Sequence, residues 1–327
     1  MMNFLHGKCL CVLSMGTGFL WGFPAMANCS VTAATSPSPI AYGIYASKAV
    51  VPGDLSPNAA GVDATFNVSC SVVLNLSLLG TSSWLRYTAM QPMVLTKGSE
   101  TIPYVIASNA TFNPVISSVG QAIGGPTGFQ LLSLIVLASG QIQVPLHIKT
   151  LPMLYWPGAG TYTSNQVLSV DGTICTGLGI GGICLGTSPV NGSVTASMNL
   201  VVSKMCEFAT TSSLVDFGSV SFLEQASTMQ LQVSLRCNAQ EDYLLYADNG
   251  NHYLNGDRYM VSAGGERIRY QVVNPGNNSQ VLEQASPLSR IATGYTENLQ
   301  IPVVIPSGQA TPHAGIYTDN VRMVIEY

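Results

Sequence analysis

The chain has 327 residues, 12 basic and 16 acidic, for a net charge of −4. Only 9% of its residues are charged, against about 25% in an average soluble protein. Such a chain is a poor match for nucleic acid or an anionic lipid surface, which select clustered Lys and Arg, while its length allows two domains with cores of their own.

Residues 1–27 read as a secretory signal peptide, with Lys8 as the basic start, CLCVLSMGTGFLWGF (9–23) as the apolar stretch and Ala25-Met26-Ala27 as the small-residue exit. The mature chain then begins near Asn28 and, without Lys8, carries 11 basic against 16 acidic residues, a charge of −5. Cys9 and Cys11 leave with the signal, and six of the eight cysteines remain, at 29, 70, 175, 184, 206 and 237. An even number in an exported chain points to three disulfides, although six cysteines alone allow 15 pairings.

From Cys29 onward, short runs of alternating apolar and polar residues recur between Gly, Pro, Asn and Ser clusters. No segment sustains a helical period, so the prediction is all-β. In order come IAYG (40–43), ATFNVSCS (64–71), PMVLTKGSETIPYVI (92–106) and an insertion, 116–140. Within that insertion LLSLIVL (131–137) reads as a buried strand. IQVPLHI (142–148) follows, then the connecting stretch TLPMLYWPGAG (150–160), which crowds Leu151, Met153, Leu154, Tyr155 and Trp156 into six positions. Large apolar side chains in a connection gain nothing unless something covers them. The stretch reads either as an exposed contact surface or as cover for a core edge. AGTYTSNQV (159–167) leads into CTGLGIGGICLG (175–186), which puts Leu178, Ile180 and Ile183 on a glycine-rich hairpin. VTASMNLVV (194–202) alternates cleanly as a half-buried strand. Ser203-Lys204-Met205 is a very short linker, dividing a front domain, 28–202, from a rear domain, 203–327.

The rear half repeats the front in the same order. VDFG (215–218) echoes IAYG, LQVSLRCN (231–238) echoes ATFNVSCS, and YMVSAGGERIRYQVV (259–273) echoes 92–106. LQIPVVI (299–305) echoes IQVPLHI, and AGIYTDNVR (314–322) echoes AGTYTSNQV. The repeat makes Cys29–Cys70 and Cys206–Cys237 equivalent bridges and leaves Cys175–Cys184 as a local clip. About seven strands per half point to two immunoglobulin-like β-sandwiches in tandem. The halves differ in two places. The counterpart of the apolar connection is PSGQATPHAG (306–315), which is polar. The front half continues into VTASMNLVV, whereas the rear half stops within NVRMVIEY (320–327), with Val321, Met323, Ile325 and Tyr327 on one face. The rear sandwich is therefore expected to be incomplete, with an open edge that invites strand addition.

The series Cys206, VDFG, VSLRC, QIPVVIPSGQ, AGIYTDNVRMVIEY resembles the spore coat protein U domain family, most specifically over 206–327. Members of that family build archaic chaperone–usher pili of the Csu type. The resemblance implies completion of the rear domain by an extended strand from an adjacent pilin subunit, with Val321, Met323, Ile325 and Tyr327 as the acceptor edge. It also implies a periplasmic pilus chaperone and an outer-membrane usher as partners. A two-domain member resembles the tip adhesin, placed at the cell surface after export through the periplasm, acting in attachment and biofilm formation. That role makes Leu151, Met153, Leu154, Tyr155, Trp156, Leu178, Ile180 and Ile183 candidates for contact with hydrophobic surfaces. A single residue, Asn28, precedes Cys29 in the expected mature chain, so the chain reads as an end piece that accepts a strand and lends none.

Enzyme readings find little support. GLGIGG fits G-x-G-x-x-G at Gly177, Gly179 and Gly182, but it lies between two cysteines and opens no helix. His147, His252 and His313 lack metal-ligand spacing, no H-E-x-x-H or G-x-S-x-G occurs, and Asp216 reads as a turn residue, so no cofactor or metal is expected. Two other readings stay open, a structural coat or matrix protein and a carbohydrate-binding tip that stacks sugars on Trp84, Tyr104, Tyr155 and Trp156.

Overall fold

A computed structural model describes residues 29–32, 40–46, 61–70, 83–126, 135–136, 141–180, 183–209 and 212–327, with side chains at 40–46, 61–62, 135–136, 177–180, 183 and 185 excepted. The expected signal peptide, and LLSLIVL apart from the backbone of 135–136, lie outside the described residues. The protein is all-β, and its one described helix is a 3-10 turn, Leu223–Gln225.

The front unit contains β1 (Cys29–Thr32), β2 (Ile40–Ala46), β3 (Gly61–Cys70), β4 (Trp84–Ala89), β5 (Val94–Lys97) and β6 (Glu100–Ala107). It continues with β7 (Val115–Ile116), β8 (Ala122–Gly124), β9 (Ile135–Val136), β10 (Gln141–Thr150), β11 (Gly160–Ile180) and β12 (Ile183–Ser203). The hydrogen-bonded order is β2-β12-β1-β3-β10-β6-β5-β11-β4-β8, and β11 pairs with β12 as well. The two layers are thus stitched together at their edges. Period-2 alternation builds the core: β10 buries Ile142, Val144, Leu146 and Ile148, while β12 buries Val194, Ala196, Met198, Leu200 and Val202.

The rear unit contains β13 (Cys206–Phe208), β14 (Met229–Cys237), β15 (Asp242–Ala247), β16 (Tyr253–Leu254) and β17 (Asp257–Ser262). After them come β18 (Arg267–Val272), β19 (Leu288–Ile291), β20 (Glu297–Val304), β21 (Tyr317–Thr318) and β22 (Met323–Glu326). One sheet runs β13-β14-β20-β18-β17-β16 with β21 on β17, and the other runs β19-β15-β22. Val233, Leu235, Leu245, Tyr270, Ile301 and Val303 lie in the core between them.

The structure carries the sequence repeat rung by rung. Leu168 and Val170 of β11 face Ala89 and Tyr87 of β4, just as Met323 and Ile325 of β22 face Ala247 and Leu245 of β15. Thr163 pairs with Thr96 of β5, and Thr318 with Val261 of β17. Each half has a tyrosine corner, in which a hydroxyl bonds the carbonyl four residues upstream. Tyr162 donates to Gly158 O and Glu100 Oε2, both at 2.9 Å. Tyr317 donates to His313 O at 2.7 Å and Glu266 Oε2 at 3.0 Å. Tyr104 reaches Ser164 in front, and Tyr270 reaches its counterpart Asp319 behind.

The three disulfides pair as the repeat predicts. Cys29–Cys70 and Cys206–Cys237 each join directly opposed residues of neighbouring strands, and Cys175–Cys184 crosses the β11–β12 ribbon. Their sequence separations are 41, 31 and 9. Loop-closure entropy makes each of the long two worth about 4 kcal/mol and the short one about 3.

Candidate functional site

The two units differ most where the repeat runs out. In front, β11 lies between β4 and β12, and β12 continues on its far side into β2, which runs parallel to it (Met198 beside Ile40, Asn199 beside Ala41). Behind, β22 pairs with β15 on one side and, among the described residues, with no strand on the other. The segment matching β2 contains VDFG (215–218), and residues 212–222 carry no strand. Among the described residues, β22 therefore has one side without a strand partner.

Burial records the same gap. Leu168 and Val170 are fully buried, whereas their counterparts Met323 and Ile325 are half-buried. Val321, Met323 and Ile325 are partly buried against the rear core, and so are Val215 and Phe217. Tyr327 lies beyond β22 and is exposed. The polar groups near this edge are internally satisfied. Asp319 accepts from Asn251 N, Tyr270 Oη and His252 Nδ1, and Asp248 Oδ1 accepts from Gly250 N and Arg322 N. What stays open is half-buried apolar surface and the unpaired side of an edge strand.

The apolar connection 150–160 is not at an exposed end. It forms the joint between the two units. Trp156 N donates to Gly294 O at 2.9 Å, Ala239 N donates to Trp156 O at 3.0 Å, and Arg236 Nη2 donates to Leu154 O at 3.2 Å. The Arg236 guanidinium lies over the Trp156 ring at 5.5 Å, and the Tyr155 and Tyr295 rings are 5.7 Å apart. Asn238, wholly buried, bonds Pro157 O at 2.6 Å and ties the linker by accepting from Met205 N at 2.6 Å. Lys204 pairs with Glu241 at 2.7 Å. Two glycines permit the approach. A Cβ at Gly294, whose φ is +83°, would stand 2.5 Å from Trp156 O, and one at Gly158 would stand 2.9 Å from Ala239 O.

The surface-contact expectation for this stretch is therefore corrected. Trp156 is 0% exposed and Met153 is buried, so neither reaches an external surface, while Leu151 and Tyr155 are half-buried. Leu154 alone among the five is exposed, at 77%. The physical reason is that hydrophobic cover was needed at the seam between two sandwiches, where a polar connection would have left both core edges wet. Sugar stacking on Tyr104 or Trp156 is ruled out by the same burial, and Trp84 is half-buried beside Arg86.

The clipped hairpin occupies the opposite end of β11 and β12. Gly160 and Val202 pair next to the joint, and Ile180 pairs with Ile183 at the turn, up to about 65 Å of strand away. Between Thr173 and Val190 the two strands pair only with each other among the described residues, and Ser83 Oγ accepts from Cys175 N. The backbone of Leu178, Ile180 and Ile183 lies on this two-stranded ribbon, while their side chains are outside the described residues. Gly177 and Gly179 fall in β11, Gly182 lies outside the described residues, and 183–203 are strand, so no helix follows the G-x-G-x-x-G pattern.

Ionisable groups are structural. Burial works against the Glu100 charge, but Lys97, the Gly158 amide and the Tyr162 hydroxyl outweigh it and hold the carboxyl below its ordinary range. Burial, reinforced by Glu100, drives the Tyr162 hydroxyl up, and burial pushes Tyr104 up to about 12. At the rear corner the Glu266 carboxylate, 2.5 Å from His313 Nδ1, raises the imidazole above 6.5 and is itself held low. Among the described residues no cluster of His, Cys, Asp or Glu is arranged to hold a metal ion, and no helix is long and apolar enough to cross a membrane.

Residues 191–324 match the family model described as Spore Coat Protein U domain. The matched span takes in the last part of β12 and the rear unit as far as Val324. No curated protein sequence matches the chain significantly. Among solved structures, the chain is similar to the CsuC–CsuE chaperone–tip adhesin subunit pre-assembly complex from archaic chaperone–usher Csu pili of Acinetobacter baumannii. Identity is 22%, coverage is 91% of this chain and 100% of that one, and the TM-score is 0.49. It is also similar to the CupB6 tip adhesin from Pseudomonas aeruginosa, at 12% identity, covering 92% and 94%, with a TM-score of 0.35. The P pilus rod subunit PapA is 20% identical over 37% of this chain and 99% of that one, with a TM-score of 0.29.

Proposed function

We propose that this chain is a subunit of a chaperone–usher pilus, and within it the tip adhesin. The rear unit takes an extended strand from the adjacent pilin subunit into the gap beside β22, and the front unit faces outward. The observation that carries this reading is the contrast between β11, covered on both sides, and β22, covered on one, within two copies of the same architecture. Before assembly a periplasmic chaperone covers the edge, and an outer-membrane usher exchanges that cover for the neighbour's strand. The match of 191–324 to the Spore Coat Protein U domain supports the same reading.

Energetics favour completion. Finishing the burial of Val321, Met323 and Ile325 is worth about 1 kcal/mol each, and a guest strand that buries apolar side chains as β12 does adds about 1.5–3 kcal/mol for each. These gains exceed the cost of ordering an extended segment, which is of order 1–2 kcal/mol per residue, only when backbone pairing along the edge is also made.

Surface contact belongs to the far end of the front unit. The Cys175–Cys184 clip stiffens the ribbon that carries Leu178, Ile180 and Ile183, and their apolar character suits hydrophobic surfaces, with many weak contacts summed over many pili. The joint loop at 151–156 drops out of this role apart from Leu154. The test is attachment of piliated cells to plastic with Leu178, Ile180 and Ile183 all changed to Ser. Loss of attachment at unchanged piliation is expected, and full retention removes the ribbon from the site. A coat or matrix protein shares the open edge and is favoured by the description of the matched domain. Assembly that proceeds without a chaperone and usher would select it.

A further inference from the structure

The joint between the two units holds a cleft of about 500 Å³, within the size range of small-molecule sites. Glu100 and Tyr155 line it from the front unit and Gln240 and Tyr295 from the rear, while Ser99 and Thr293 add a hydroxyl from each side. One wall is aromatic. Tyr155 packs against the front core, and its ring lies 5.7 Å from the exposed Tyr295 ring, tilted by 38°. A flat group held between two rings needs about 7 Å, twice a carbon–carbon contact. The pair is too close to sandwich a guest, so Tyr155 braces Tyr295 and an occupant lies across the free face of Tyr295.

The rest of the cleft is polar without an unpaired charge. Glu100 Oε2 accepts from Lys97 Nζ at 2.8 Å and Tyr162 Oη at 2.9 Å, and Oε1 accepts from Gly158 N at 3.0 Å. That leaves one of a carboxylate's roughly four acceptor sites free. With Lys97 already beside it, the carboxylate gains little from a second cation, and a neutral hydroxyl is the better partner. Gln240 adds an independent sign. It is the third residue of the Asn238–Glu241 turn, closed by Glu241 N on Asn238 O at 3.3 Å, and its φ is +62°. Glycine adopts that conformation freely, whereas a side chain is strained there. The Gln240 amide, exposed at the cleft wall and without a hydrogen bond among the described residues, offers both a donor and an acceptor in spite of that strain.

We propose that this cleft binds carbohydrate. A pyranose ring lays its C–H face on Tyr295, one hydroxyl donates to Glu100 Oε1, and others exchange hydrogen bonds with the Gln240 amide. Both units contribute to the site, so an occupant also fastens the joint. The site is separate from the Cys175–Cys184 ribbon and from the β22 edge and depends on neither.

The test is saturation-transfer NMR on the full chain with the methyl glycosides of glucose, galactose, mannose and N-acetylglucosamine. Each is used at about 50 mM, well above the Kd of order 1 mM that ligand-efficiency limits set for a group of this size. Transfer strongest at the protons of one ring face is expected for at least one glycoside, which should also raise the midpoint of thermal unfolding. Tyr295→Ala and Gln240→Gly should each weaken binding about fivefold or more, and Tyr295→Phe should retain it. Gln240→Gly should leave the unfolding midpoint of the free chain no lower, since it removes strain, so its effect on binding is not a loss of fold. A cleft that takes tetramethylammonium and none of the four glycosides is a cation cage, and one that takes neither is no site. Either result overturns the proposal, as does glycoside binding that is unchanged in both Tyr295→Ala and Gln240→Gly.

Discussion

Trp156 belongs to neither core yet is completely buried, so its role as the wedge of the joint can be tested by removing it. Trp156→Ala deletes a large buried ring, a change that costs about 3–5 kcal/mol where the site does not collapse. The Arg236 guanidinium loses its ring partner, worth a further ~0.5–2 kcal/mol. Against this, the indole Nε1–H is buried without an acceptor among the described residues, and releasing it returns about 1–3 kcal/mol. The main-chain bonds of residue 156 to Gly294 and Ala239 do not depend on the side chain. The net loss is therefore about 2–4 kcal/mol, charged to the joint rather than to either core. Calorimetry should show one coupled transition in the parent splitting into two in the variant, while Leu154→Ser at the exposed neighbour stays within about 0.5 kcal/mol. Coupled unfolding with an unchanged midpoint after Trp156→Ala would refute the wedge.

Two other perturbations probe named contacts. Gly294→Ala places a Cβ 2.5 Å from Trp156 O at a φ of +83°, so a loss of about 1–3 kcal/mol in the same coupled transition is expected. At the rear corner the sign of the pH effect is fixed by the two directions. The raised His313 contributes stability in full below 6.5 that fades as the pH climbs through its folded value, and the lowered Glu266 contributes above 4.5 and loses that as the pH falls. Between those limits the corner is firmest. An NMR titration should find the His313 imidazole above 6.5 and returned to its ordinary value by Glu266→Gln; no change on substitution would dismiss the pair.

Strand alternation and repeat order were readable because each is local or collinear. The Cys pairs and the β12 row at 194–202 both follow from patterns within a few tens of residues. The destination of 150–160 was not readable in that way. The residues that cover Trp156, namely Arg236, Ala239 and Gly294, lie 80 to 138 positions further along the chain, and nothing in their own surroundings marks them as a docking face. One signal was present. The rear counterpart of that connection, 306–315, is polar, so the apolar version had to serve something the rear unit has no use for. A seam with a second domain meets that condition as well as an external surface does. Only the burial of the ring separates the two.

The measurement closest to the centre of this account is hydrogen exchange on the backbone amides of Met323–Glu326, with and without an added apolar strand peptide. The free chain should exchange at β22 far faster than at the corresponding residues 168–171 of β11, and the peptide should bring the two into line. Equal protection at both strands before any peptide is added would mean that the rear sandwich is already closed.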